Sequence, residues 1–231
     1  MHISESSARR VGLIAWVAAL AGTVLGPLHA LSRFATVDGQ EDLDSAAVRA
    51  WAEPAARLLR PLLDWSDPGT VYRVYSMAWF LIFLAATACA FTVHGRRAPT
   101  GAEKWGWRVA LTGYLLATAS TFGDYWTPWT DQSFLILGIP GTLVSLAGST
   151  LLGITLLRRR FRPRVTGWLL ATWIPLLFLL SSLVAMGAAA LPMIWAWALA
   201  GRALGRSVPG AGRGDRGVPD LVPAETGRPG R

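Results

Sequence analysis

Three residues of this chain have the side-chain types of a small cation site: His29, Asp124 and Asp131. One imidazole and two carboxylates can ligate a divalent cation when they converge. Tyr125 follows the first aspartate, and the acidic stretch Asp38, Glu41, Asp42, Asp44 could gather beside them. Six residues separate Asp124 from Asp131, which is not a diagnostic ligand spacing. The competing reading is structural: acids flank helix ends on a side that does not retain cations, and Tyr and Trp anchor there. We expect His29 to lie against the bundle near an interface and Asp131 to be solvated, with no metal and no cofactor.

Other chemistries lack their residues. His2, His29 and His94 are the three histidines, and the last two fall at opposite ends of proposed spans, so they cannot share a haem iron. Neither the His-Glu-x-x-His nor the Gly-x-Ser-x-Gly pattern occurs. Ser120, Ser181 and Ser182 have no histidine at matching depth, so they read as helix-to-helix hydrogen-bonding groups. The single cysteine, Cys89, has no partner for a disulfide or thiolate cluster within one chain.

The elements that must position these residues are membrane helices. Hydrophobic residues make up 52% of the 231-residue chain and charged residues 16%, against about 25% charged in ordinary soluble domains. A helix needs about 20 mainly apolar residues to cross a bilayer. Spans are predicted near 11–31, 74–93, 109–126 and 134–157. The apolar stretch Val165–Leu204 is about twice too long for one crossing, so it folds back near Met186–Ala190 into spans 166–184 and 188–204. Trp105, Trp107, Trp126, Trp129 and Trp168 near span ends read as interfacial anchors. A signal peptide cleaved after Ala30 would place Leu28 at a position that favours small residues, so the first helix is expected to stay. The apolar centres hold no ionisable residue: His29, Arg73, Asp124 and Arg202 fall near ends and can snorkel, which disfavours a proton relay.

Charge sets sidedness. The N-terminus, the segments 93–109 and 158–164 and the tail counted from Arg202 carry two, four, five and six Lys or Arg, 17 of 22, while the other side holds five arginines and nine of the 14 acids. Positive charge is retained in the cytoplasm, so both ends lie inside, and the six-arginine tail requires six spans. The net charge of +8 follows from these short segments and does not point to nucleic acid. Arginine outnumbers lysine 21 to 1, which reads as a high-GC bacterial coding bias. The large external loop carries apolar residues at helical spacing over 45–65 (Val48, Trp51, Ala55, Leu58, Leu59, Leu62), with Pro54 and Pro61 dividing it into two short helices on the membrane surface. The Gly-, Pro- and Arg-rich tail 205–231 reads as disordered.

Two patterns concern packing. Thr112–Thr118 and Thr166–Thr172 match at six of seven positions, and each is followed by a helix containing a proline, Pro140 and Pro192. Duplicated hairpins and coincidence in a small membrane alphabet explain this about equally well. Gly141, Ser145, Ser149 and Gly153 recur at steps of four, a small-residue stripe suited to close helix packing. Its simplest use is a seam inside the bundle, with a homo-oligomer face as the sharper alternative.

The expectation is thus an all-α polytopic membrane protein: six transmembrane helices, both ends cytoplasmic, one large amphipathic external loop, in a bacterial plasma membrane. Its partners are the bilayer and a membrane protein or a second copy. Function is expected to be non-enzymatic, as an accessory, scaffold or sensory component. The rivals are a small-solute or ion permease built from repeated hairpins, and a membrane enzyme using an external Asp/His site.

Overall fold

The computed structural model describes residues 4–184 and 186–206; among them the regular structure is helical, with no strand. The order is α1 (Glu5–Phe34), a 3-10 segment (Val37–Asp44), α2 (Ala46–Leu58), α3 (Arg60–Leu63), α4 (Pro68–Gly95), α5 (Ala102–Trp126) and α6 (Thr130–Ser133). A π-turn (Phe134–Gly138) leads into α7 (Ile139–Arg158), followed by α8 (Arg164–Ala171), α9 (Trp173–Leu183), a 3-10 turn (Met186–Ala190) and α10 (Leu191–Arg206). The expected tail lies outside the described residues from 207 on.

Three of these helical stretches are long and apolar enough to cross a membrane: Glu5–Phe34, Pro68–Gly95 and Thr130–Arg158. The bent pair α8 and α9 makes a fourth if it counts as one span. At 25 residues α5 is about 37 Å long, enough for a crossing, but it carries Glu103, Lys104, Arg108 and Asp124 and falls short in apolarity. The last helix is apolar over Ala188–Leu204 and shorter than a full span.

Local chemistry explains where the helices start and bend. Ser4 caps α1 by accepting from the Ser7 amide, and Asp67 caps α4 by accepting from the Thr70 amide, with Pro68 in the first turn. The residues expected to form one span over 166–184 are split at Thr172 by a bend of 67°. Pro175 supplies the cause, since its ring removes an amide donor and crowds the carbonyl of Ala171. The π-turn stands just before Pro140, where the widened turn accommodates the ring. Proline does not break the loop as expected at Pro54, which sits inside α2; the break falls at Leu59, before Pro61. The apolar face of α2 holds it helical through Pro54: Val48 and Ala52 are buried against Ala30, Leu31 and Phe34 of α1.

Consecutive long helices pack side by side, α1 on α4, α4 on α5, α5 on α7 and α7 on α8, and α10 closes the bundle against α1, α4 and α8. Small residues make the seams. On α1 the buried face reads Ala8, Gly12, Ala15, Ala19, Gly22, Gly26, while Leu13, Ile14, Val17, Leu20 and Val24 face outward. Gly12 lies so close to the Gly201 backbone of α10 that a Cβ there would overlap it. Large apolar residues outside and small ones between helices are the arrangement favoured in lipid, where close backbone approach drives association.

The two sequence copies take different environments. Gly113 and Gly167 are both buried against α7, but the third position is the fully buried Tyr114 in one copy and the exposed Trp168 in the other. Pro175 stands where α5 has Thr121, so α5 runs on while the second copy bends.

Candidate functional site

At the end of the bundle where the 32–73 loop sits, the structure gathers a polar cluster from α1, α4 and α5. His29, on the last turns of α1, is buried, and its Nε2 lies 2.9 Å from Ser76 Oγ of α4. The Ser76 hydroxyl donates to the Tyr72 carbonyl at 2.7 Å, so the proton between Ser76 and His29 comes from Nε2. Nδ1 is then a bare acceptor, and it is buried without a partner. The ring leans on Tyr72 (centroids 5.0 Å apart) and meets Trp79 edge-on at 6.0 Å; the Trp79 indole N–H is also buried and unpartnered. Tyr72 reaches across to Tyr125 of α5, their hydroxyls 3.5 Å apart, and Arg73 donates to the Tyr125 carbonyl.

Asp124 takes another direction. Its Oδ2 accepts from Ser120 Oγ at 3.3 Å beside the π-turn, while Oδ1 is buried with no partner. Asp131, on α6, is exposed. His29 therefore belongs to the α1–α4 interface, Asp124 to the α5–α6 corner and Asp131 to the surface. Among the described residues, no group of three His, Cys, Asp or Glu side chains is placed to hold a metal ion.

The loop covers this end. Trp51 of α2 donates from Nε1 to the Leu183 carbonyl of α9 at 2.7 Å, and Arg33 pairs with Asp42 at 2.9 Å. A cleft of about 310 Å³ lies between the loop and the end of α9, with Phe34, Asp42 and Val48 on one wall and Ser181, Ser182 and Val184 on the other.

The stripe residues Gly141, Ser145, Ser149 and Gly153 are all buried. Gly141 meets Leu116 and Ala117 of α5, Ser145 meets Gly113, and Gly153 meets Gly167 and Ala171 of α8. Ser149 lies 2.6 Å from the Tyr114 hydroxyl, deep in the core.

Two features were not read from the sequence. Trp107 is no interfacial anchor: it is fully buried, its ring tilted against those of His94 and Trp197 at 5.1 and 5.2 Å between centroids. Trp105, two positions away and so on the opposite helix face, is 61% exposed. The second is a buried carboxylate at the opposite end of the bundle from His29. Glu103, in the first turn of α5, accepts from Arg97 Nε at 2.8 Å and from Trp107 Nε1 at 3.3 Å. Arg159, from beyond α7, stands 3.1 Å from its second oxygen, within ion-pair distance though not aligned for a hydrogen bond. Burial pushes the Glu103 pKa up, but the Arg97 and Trp107 hydrogen bonds and the charges of Arg97 and Arg159 outweigh it and hold the carboxyl below its ordinary value. The available signal was a single acid among nine Lys and Arg in the segments 96–108 and 158–164.

Neither cluster assembles a nucleophile, base and oxyanion donor around one reacting atom. Compared with known proteins, the chain matches no family model, no curated protein and no solved structure.

Proposed function

We propose that the chain is a six-span integral protein of a bacterial plasma membrane, both ends cytoplasmic, with a non-enzymatic accessory, scaffold or sensory role. The observation that carries this reading is the closed core. Trp107 and Tyr114 of α5, Leu152 and Leu156 of α7, Leu170 of α8, and Met193, Ile194 and Trp197 of α10 each have 0% exposure and fill the bundle from the turn end to its middle. Trp107, Tyr114 and Trp197 form one aromatic wedge, and its one hydroxyl is taken up by Ser149. A permease needs a polar, hydrated path at this depth, and packing of this kind opposes one. The loop folded over α1 and α9 is the part most exposed to a partner outside the membrane.

Reconstitution into liposomes tests the reading. Permeability to potassium and glycerol should equal that of empty vesicles, while a stoichiometric membrane partner should stay with the protein through purification in mild detergent. Solute or ion flux above the empty-vesicle rate replaces the accessory role with a permease.

A further inference from the structure

Sidedness requires cations on one side of a membrane protein, but it does not require them to converge. Here they do. Arg159 reaches from the turn after α7 to the turn before α5, donating to the Thr100 carbonyl and hydroxyl at 3.1 and 2.9 Å and pairing with Glu103. From the other side, Arg97 lies over the Phe161 ring, 5.0 Å from its centroid. Beneath both, Gly106 lets α5 close on the Leu152 backbone of α7. The two turns are thereby clamped into one surface.

That surface is unbalanced in charge. Its single acid, Glu103, is already committed to Arg97 and Arg159. Arg96, Lys104, Arg108, Arg158, Arg160, Arg162 and Arg164 are exposed and make no ion pair among the described residues. One placement calls for an anion, and another strains the backbone of the turn. Arg164 is the first residue of α8, a cation at the positive end of the helix dipole. Arg160 has φ +53, the left-handed conformation in which glycine ordinarily ends a helix. Exposed Trp105, Val165 and Trp168 stand among these cations and supply an apolar rim.

We propose that the clamped α4–α5 and α7–α8 turns form a binding site for the phosphate headgroup of an anionic phospholipid. The cations take the phosphate, and the tryptophans and Val165 lie along the glycerol and upper acyl region, where such side chains are favoured. The apolar rim is what selects a lipid over a free phosphate ion. This inference rests on reading the chain as membrane-spanning.

The test uses the full chain in a neutral detergent, with thermal unfolding followed after adding phosphatidylglycerol, phosphatidylcholine or inorganic phosphate. Phosphatidylglycerol should raise the midpoint by about 5 °C, the shift expected of a site well above half saturation. Phosphatidylcholine and phosphate should not, and 0.5 M sodium chloride should shrink the effect. The triple variant R158Q/R160Q/R162Q should lose at least half of the shift, whereas R49Q/R57Q/R60Q at the other end should keep it. R160G is the sharper variant: glycine relieves the backbone, so the midpoint without lipid should hold or rise while the lipid shift falls. An equal response to inorganic phosphate overturns the lipid assignment, and a full shift in the R158Q/R160Q/R162Q variant overturns the site. Alkaline carbonate extraction of cell membranes separates the two readings, because a chain that is washed off overturns the membrane-spanning reading itself.

Discussion

The polar clusters at the two ends of the bundle are built in opposite ways. At the loop end, His29, Ser76, Tyr72 and Tyr125 join α1, α4 and α5 through neutral hydrogen bonds and ring contacts, and three polar atoms stay buried and unpartnered: His29 Nδ1, Trp79 Nε1 and Asp124 Oδ1. At the turn end, one fully buried carboxylate is held by two arginines and an indole. A buried charge persists only with close compensation. The arginine-rich turns provide it for Glu103, whereas the acid-rich loop offers Asp131 no such setting and leaves it in solvent. What a polar residue does here follows from the charge balance around it more than from its own type.

The largest effect should come from the α5–α7 seam. Gly113 of α5 touches the Ser145 backbone of α7 with no room for a Cβ. Gly113→Leu should cost about 3 kcal/mol or more and leave little folded protein in detergent. Ser145→Leu should follow closely. Leu143→Ile, at a position 63% exposed, should change the thermal midpoint by less than the scatter between preparations. Equal effects of Ser145→Leu and Leu143→Ile would mean that the stripe does not carry the packing.

Next comes the turn end. Glu103→Ala should cost about 2 kcal/mol. That is below the loss for a fully buried pair, because Arg97 and Arg159 are partly exposed and can turn to water. Acid should remove the same contribution. The folded pKa of Glu103 lies below its ordinary 4.5, so the stabilisation is complete above that value and is lost as pH falls through the folded value. The midpoint difference between wild type and Glu103→Gln should shrink on acidification below about pH 5. A difference that grows instead would show the carboxyl protonated in the folded state.

The loop end should respond less. His29→Phe keeps the ring contacts with Tyr72 and Trp79 and removes the bond to Ser76, at a cost of about 1 kcal/mol. Asp131→Asn should fall within about 0.5 kcal/mol of wild type. A loss at Asp131 as large as that at His29 would put both residues in one site after all.

How much of this was legible in the sequence differs between the two ends. Composition and apolar runs foretold a helical, membrane-compatible chain, and a helical period placed α2 on the loop. The stripe at steps of four is equally visible on α7, whereas the longer stripe on α1 does not stand out in the sequence, because alanine makes up half of it and alanine is common everywhere in this chain. The burial of Trp107 is not legible in the sequence, because proximity to a span end does not say which face a side chain takes. Glu103 was passed over because it sits outside the apolar runs, and only the fold brings Arg159 back to it across the α5–α7 seam. The bend at Pro175 was missed for a different reason. Prolines in Pro27 and Pro54 leave their helices intact, so the residue by itself does not decide whether a helix breaks.

The closed core is the claim on which the functional reading depends, and Ser149 is the place to probe it. It has 0% exposure, lies in the middle of α7 and contacts Tyr114 next to Trp197. With the buried Cys89 replaced by alanine, Ser149→Cys puts a single, nearly isosteric thiol at that depth. In reconstituted vesicles, small membrane-impermeant methanethiosulfonates applied from either side should leave it unmodified until the protein is denatured. Modification of the folded protein from either side would reveal a hydrated path to the centre and contradict the closed bundle.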